Sequence, residues 1–372
     1  MVASPTWLLL GKPLRAPLRD GTTVLASSLV AALPDTRQVA YLGDPGAPVR
    51  PGFDRVLPAA PIGYAPSLLD RARLLATLVD PRLRTLHVHL FFSPNPASQA
   101  VLTTVRRTVA RGGTRRFVQT IPAGTGATRA VAGLRVLDAV VTTSEHTRAS
   151  LVAAGLDERR VHCIRPGVTL PQHAAVPARS RRLLYAGDLD EAVAERAIAL
   201  ARLLRRPELS AWQLTLACRP KAEGDVVARA RVRRELADAV ADGRVEVRAE
   251  VDDMDALLRD TAVQLYLADH ARAKVDLPLV LLEGLARGVG VLAVDAAPVC
   301  ELLEVATAAR CDIGGLVPPS PDACAAAIAR RLLEPQAIPA WGQAARALAR
   351  GAFAASDMAA RYVALWQELE RA

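Results

Sequence analysis

The chain has 372 residues, 51% hydrophobic and 23% charged, a balance that fits two globular domains and excludes disorder, collagen-like repeats and a small disulfide scaffold. No apolar run approaches the roughly 20 residues needed to span a bilayer, and five scattered cysteines (Cys163, Cys218, Cys300, Cys311, Cys324) without a CxxC pair point to a reducing, cytoplasmic setting. The net charge of +9 is uneven: residues 1–175 carry 21 Arg and Lys against 10 Asp and Glu, the remainder 26 against 28, so the first half suits an anionic partner such as a phospholipid surface or a phosphorylated acceptor.

Short apolar runs alternate with stretches of helical period, the pattern of repeated βα units around a parallel sheet, an α/β chain. In the first half the predicted strands are Thr6–Gly11, Gln38–Leu42, Thr85–Phe91, Arg116–Ile121, Asp138–Thr143 and Val161–Arg165. Helices Thr22–Leu33, Ser67–Leu78, Ala97–Ala110 and Ser144–Ala154 lie between them. A linker rich in Pro and small residues follows at 171–181, and the pattern restarts. Strands Arg182–Ala186, Gln213–Cys218, Val245–Arg248, Val263–Ala268, Val289–Val294 and Gly315–Val317 then alternate with helices at about 190–205, 222–240, 252–259, 278–287 and 321–333. A helical stretch from Trp341 to Arg371 closes the chain. The order implies two Rossmann-like domains, 1–170 and 182–350, followed by a last segment, 351–372. Ligands of such sheets sit beyond the carboxyl ends of the strands, so the loops there are where chemistry belongs.

The loop after the first strand, Gly11 to Thr23, carries Lys12, Arg15 and Arg19 and runs into a helix that Asp20 or Thr22 can cap. Gly21 and Thr22 at its start offer backbone N–H groups to a phosphate or other anion, although the glycines are not spaced as in a dinucleotide or Walker loop. Lys12, Lys221 and Lys274 are the three lysines among 47 basic residues, and all fall in loops after strands. His87 and His89 alternate on one strand face; without a third ligand they read as buried or cleft-edge histidines rather than a metal pair. Arg106, Arg107, Arg111, Arg115 and Arg116 form a basic cluster of the kind that is solvated or rests on anionic lipid. With 4% aromatics, nucleic acid is the weaker partner.

Val140-Val-Thr-Thr-Ser-Glu-His-Thr-Arg followed by Arg160-Val-His-Cys-Ile-Arg-Pro-Gly-Val168 resembles the end of the first domain of glycosyltransferase family 4. Leu183-Leu-Tyr-Ala-Gly187 resembles the start of its donor domain. Asp276-Leu-Pro-Leu-Val-Leu-Leu-Glu-Gly-Leu-Ala-Arg-Gly288, Glu301-Leu-Leu and Gly315-Leu-Val-Pro-Pro-Ser-Pro-Asp322 are similar to its most recognisable stretches. The resemblance implies a GT-B architecture, two Rossmann-like domains facing across a cleft, with the C-terminal helix of 351–372 crossing back to the first domain. The acceptor is then expected on the first domain and the nucleotide sugar on the second, with sugar transfer by retention, no bound metal and no other cofactor. A lipid-linked or otherwise anionic acceptor, and a place at the inner face of the membrane, would suit the basic first domain.

Carried over residue by residue, Glu283 matches the second Glu of the E-x7-E motif that holds the donor ribose, and Gly187 the glycine of the donor loop. The first Glu falls at Val275. Lys274 and Asp276 beside it are the expected substitutes, Lys274 toward phosphate and Asp276 toward sugar hydroxyls. The usual Arg falls at Asp188, the Lys a few residues on is missing, and the usual His falls at Pro122. Loss of cations that neutralise a departing diphosphate is costly, since one such donor contributes about 10²–10³ in rate. Two readings follow: a divergent transferase whose phosphate contacts have moved to Lys274, Lys221, Arg219 and the Gly11–Thr23 loop, or a catalytically inactive GT-B shell that binds and scaffolds a protein partner.

Overall fold

The computed structural model describes residues 6–11, 20–34, 39–43, 55–58, 72, 76, 78–79, 86–94, 99–100, 103–104, 106, 115–171, 181–220, 223–269, 275–296 and 298–372. Two compact units divide the chain. The first comprises 1–167, 272–279 and 353–372; the second comprises 168–271 and 280–352. The first unit thus gathers three separate stretches of sequence, and the second is interrupted once.

The first unit is built on seven parallel strands: β1 (Trp7–Gly11), β2 (Val39–Gly43), β3 (Arg55–Pro58), β4 (His87–Phe91), β5 (Phe117–Ile121), β6 (Ala139–Thr142) and β7 (Val161–Cys163). They lie in the order β3-β2-β1-β4-β5-β6-β7, with the reversal of direction at β1–β4 that marks a doubly wound sheet. Four strands, β1, β4, β5 and β6, are buried along nearly their whole length, as expected where both faces of a parallel sheet are covered. Leu8, Leu10, Val88, Leu90, Phe117 and Val140 contribute to one apolar cluster within the unit.

The last helix, Ala355–Arg371, covers β1 and β4 with aromatic rings. Trp366 stacks on Trp7 with centroids 5.3 Å apart, and the Trp7 indole N–H donates to Glu370 Oε1 at 2.7 Å. Trp366 Nε1–H donates to His89 Nδ1 at 2.9 Å. Because an indole only donates, His89 carries its proton on Nε2, which lies 2.8 Å from Thr120 Oγ1; Tyr362 Oη closes the chain of contacts at 3.1 Å. His89 is fully buried, and that burial lowers its pKa to about 3. His87 Nδ1 accepts the backbone N–H of Arg116. Gly167 reaches the start of this helix so closely that a Cβ would lie 2.7 Å from the Ala354 oxygen, which explains the glycine of the Pro166-Gly167-Val168 turn.

The second unit has six parallel strands: β8 (Arg182–Ala186), β9 (Gln213–Ala217), β10 (Val245–Arg248), β11 (Val263–Tyr266), β12 (Gly290–Val294) and β13 (Gly314–Val317). Their order, β10-β9-β8-β11-β12-β13, repeats the plan of the first sheet, with the switch point at β8–β11. Helices Glu191–Leu203 and Pro321–Leu332 pack against each other, with buried Ala197, Ala201, Ala325 and Ala329 among their residues. None of the five cysteines is held in a disulfide. Among the described residues no helix is long and apolar enough to cross a membrane.

The predicted strands all appear, most with ends trimmed by one or two residues. β3 was absent from the sequence reading: Arg55-Val56-Leu57-Pro58 is four residues long, sits at the sheet edge and ends in proline, so it lacks the length and patterning that identify inner strands. The single helix predicted for 222–240 is two, Glu223–Glu235 and Ala237–Ala241, broken at Leu236. The closing stretch likewise divides into Ile338–Ala352 and Ala355–Arg371, where Ala354 is extended.

Candidate functional site

In the second unit, the loops after β8, β9 and β11 lie at the carboxyl ends of three neighbouring strands. Gly187 follows β8. A Cβ there would stand 2.8 Å from the Tyr185 hydroxyl, which itself donates to the Asp188 carbonyl at 2.6 Å and folds the loop back on its strand. Asp190 then caps the Glu191–Leu203 helix by accepting from Val193 N–H at 3.0 Å. Arg219 is half-buried in the loop after β9, while Lys221 lies outside the described residues.

Arg196, which sequence reasoning missed, supports this edge from beneath. It is 4% exposed and donates to the carbonyls of Leu267 and Pro319 at 2.8 and 2.6 Å and to Asp269 at 2.5 Å. A buried guanidinium needs such partners, and here they tie the ends of β11 and β13 to one helix. Its place inside an otherwise apolar helix face, between Ala194 and Ala197, was the signal available in the sequence. Tyr266 at the end of β11 has its pKa pushed up to about 12, first by burial and then by Asp188, Asp190 and Asp269 nearby. The sequence substitution at Asp188 therefore places a carboxylate near Tyr266, opposite in sign to the cations expected around a diphosphate.

Glu283 lies on the Leu279–Arg287 helix. Gly284 beside it lets the helix close onto β11: a Cβ at that position would overlap Gln264 Oε1 at 1.7 Å, and Gln264 Nε2 donates to the Val280 carbonyl at 2.8 Å. Gly288, at φ +80°, ends the helix, with Gly288 N–H donating to Leu285 O and Val289 N–H to Gly284 O. Glu283 is half-buried, and no side chain among the described residues donates to its carboxylate. Burial raises its pKa; Arg287 opposes that rise and Asp255 reinforces it. Arg287 is itself engaged with Asp255 and with the Glu283 carbonyl. Glu283 is thus held in place through its backbone.

Several expected residues stand elsewhere. Asp276, expected to reach sugar hydroxyls, is 1% exposed in the first unit, and its carboxylate accepts from Gly124 N–H, Ser144 Oγ–H and Thr147 Oγ–H at 2.8, 2.7 and 2.6 Å. With three donors already on it, this carboxylate has no sugar-facing role. Val275 beside it is buried. At the first loop Asp20 is the cap, and its Oδ1 accepts from Thr22 N–H and Thr23 N–H at 3.0 and 3.1 Å. An incoming anion would meet a carboxylate there, so Thr22 does not serve as a phosphate contact. Gly21 opens that helix, and Lys12, Arg15 and Arg19 lie outside the described residues, as does Lys274.

Three arginines of the basic cluster are engaged by partners within the first unit, Arg115 buried and Arg106 and Arg116 partly exposed. Arg106 forms a bidentate pair with Asp138 at 2.8 Å. Arg115 is buried on the carbonyls of Leu78 and Leu86, and Arg116 donates to Leu369 O. The described residues contain no group of three His, Cys, Asp or Glu side chains arranged to hold a metal.

No protein-family model and no curated protein matches the chain. Solved structures do match, over nearly the whole of both chains. Anabaena HepE, in complex with UDP and glucose, is 15% identical with a TM-score of 0.69, covering 98% of this chain and 100% of its own. The fold is GT-B. The trehalose-6-phosphate synthase OtsA is 12% identical with a TM-score of 0.72, and 99% of each chain is covered. The N-terminal domain of Candida albicans trehalose-6-phosphate phosphatase is 9% identical at 0.68, covering 99% of this chain and 97% of its own. The shared GT-B fold thus occurs in proteins named for synthesis and in a domain of one named for hydrolysis.

Proposed function

We propose that the protein is a glycosyltransferase that binds a nucleotide diphosphate sugar at the carboxyl edge of the second unit and transfers the sugar, with retention, to an anionic or lipid-linked acceptor held by the first unit. Glu283 carries the reading: a half-buried carboxylate to which no side chain among the described residues donates is suited to accept the two hydroxyl hydrogens of a ribose. HepE, bound to UDP and glucose in the matching structure, supports a nucleotide-sugar donor. In the transfer, the nucleotide diphosphate leaves with the electron pair of the sugar C1–O bond, and an acceptor oxygen forms the new bond while losing its proton. Lys274 and Arg219 are the cations proposed to meet the diphosphate. The reading calls for no resident cofactor. The charge of the first half supports the anionic acceptor and a peripheral place at the inner membrane face.

Thermal unfolding in the presence of UDP, UDP-glucose and other nucleotide sugars tests this. A ligand present at 100 times its Kd adds about 2.7 kcal/mol to the folded state. The expected result is a shift with one or more donors that Glu283→Ala loses. No shift with any donor would sink the reading.

Asp188, a carboxylate where the resemblance leads to a cation, favours a second reading, an inactive GT-B protein that scaffolds a partner. Donor binding without turnover by any acceptor would select it.

A further inference from the structure

Pro122 and Val275, two positions at which the sequence departs from the family it resembles, meet Asp276 at one place in the first unit. We propose that residues 275–278 form a strap, closed by Asp276 over the carboxyl ends of β5 and β6, that fills an oxyanion cradle of this unit with a carboxylate of the chain itself. The Asp276 carboxylate is the plug of this cradle.

The cradle is made of three donors from separate points of the sequence. Gly124 N–H follows β5, Ser144 Oγ–H precedes the Glu145–Ala153 helix, and Thr147 Oγ–H lies in its first turn; all three point at the two Asp276 oxygens. The helix does not need Asp276 as its cap, because Ser144 Oγ already accepts Thr147 N–H at 3.1 Å. The hydroxyl hydrogens of Ser144 and Thr147 are thus left for an anion, and both side chains are almost fully buried. Gly124 is a requirement of the cradle: a Cβ would stand 2.2 Å from Thr147 Oγ1, so a larger residue would push the backbone donor away.

The strap is fastened at its backbone as well. Asp276 N–H donates to the Pro122 carbonyl at 2.8 Å, and the same oxygen accepts Thr143 Oγ–H at 2.6 Å. Val275 and Leu277 on either side are 3% and 0% exposed. Doubly wound sheets take their ligands at the carboxyl ends of strands, and at β5 and β6 that position belongs to Asp276. Removing the carboxylate leaves three buried donors converging on a space that a small carboxylate of similar shape can enter.

The test is chemical rescue. Asp276→Ala is expected to melt at a lower temperature than the wild type and to exchange the amide hydrogens of 275–279 at least tenfold faster. Sodium formate, but not equal sodium chloride, is expected to restore the melting temperature of the variant and leave the wild type unmoved. Unchanged exchange at 275–279 would show that Asp276 does not hold the strap. Rescue no better with formate than with chloride would show that the donors are no oxyanion cradle; either result overturns the proposal. Should Asp276→Ala not fold, Thr147→Val removes one donor and keeps the plug. It is expected to speed strap exchange several-fold without a response to formate, and exchange at the wild-type rate overturns the proposal. None of these measurements uses a nucleotide, so a failure to bind donors would sink the transferase reading and leave the strap standing.

Discussion

The carboxyl ends of the two sheets are built from similar residues and treat them in opposite ways. In the first unit three described polar groups singled out by sequence are consumed internally: Asp276 by three donors, Asp20 by two helix N–H groups, His89 by Trp366 and Thr120. In the second, no side chain among the described residues donates to the Glu283 carboxylate, and Tyr266 lies near Asp188 and Asp190. Buried polar groups that are paired specify a fold, whereas those left open are available to a ligand. Burial of a polar residue therefore does not mark a site; the missing partner does.

The largest test of the contrast is acid. His89 takes up its proton only near pH 3 when folded, against about 6.5 unfolded, so its contribution is whole above 6.5 and erodes as the pH falls toward 3. The loss amounts to about 5 kcal/mol. His89→Gln, which keeps an acceptor for Trp366 and a donor for Thr120, should flatten this part of a urea-unfolding series against pH; parallel curves would break the assignment. Next is Arg196→Ala, which leaves Asp269 and two carbonyls without their buried partner and should destabilise the protein by about 3–5 kcal/mol in chemical denaturation.

Gly284→Ala forces Gln264 aside and should cost about 1–3 kcal/mol. Adding Gln264→Ala should recover part of that loss; a double variant no more stable than the single one would show that the close approach is not the cause. The smallest effect discriminates most sharply. Glu283→Gln should weaken UDP binding about tenfold by calorimetry, through loss of charge-assisted bonds. It should also raise the melting temperature at pH 7. The raised carboxyl pKa means that the wild type keeps its full stability below its ordinary range and loses it as the pH rises through the folded value, so the gap should close in acid. Weaker binding together with higher stability is the signature of an open site. A variant less stable at pH 7 would place Glu283 with the paired groups of the first unit.

The alternation of strands and helices was legible because both sheets are parallel and covered on both faces, which writes each inner strand as an apolar run. The Glu283 helix and the Gly187 loop were legible from their residues and order. What sequence could not show was pairing. Asp276 differs from Glu283 only in where its neighbours lie, and those neighbours, Gly124, Ser144 and Thr147, are more than a hundred residues away. Separation in sequence, 29 to 253 residues, likewise hid the internal use of Arg106, Arg115 and Arg116, which read as a basic surface until Asp138 and the carbonyls of Leu78, Leu86 and Leu369 were placed beside them.

The stack of Trp7 on Trp366 also sets a timetable for synthesis. The second unit is drawn from residues 168–352, so all of it can emerge from the ribosome before the helix that covers β1 and β4 exists. During that interval Trp7, His89 and Phe91 have no lid, although their strands were made first. The growing chain therefore presents an aromatic surface for the time needed to translate about 200 further residues, on the order of 10–40 s at usual elongation rates. A chaperone that recognises exposed aromatic side chains would find its target on the nascent first unit, and would lose it when residues 355–371 arrive.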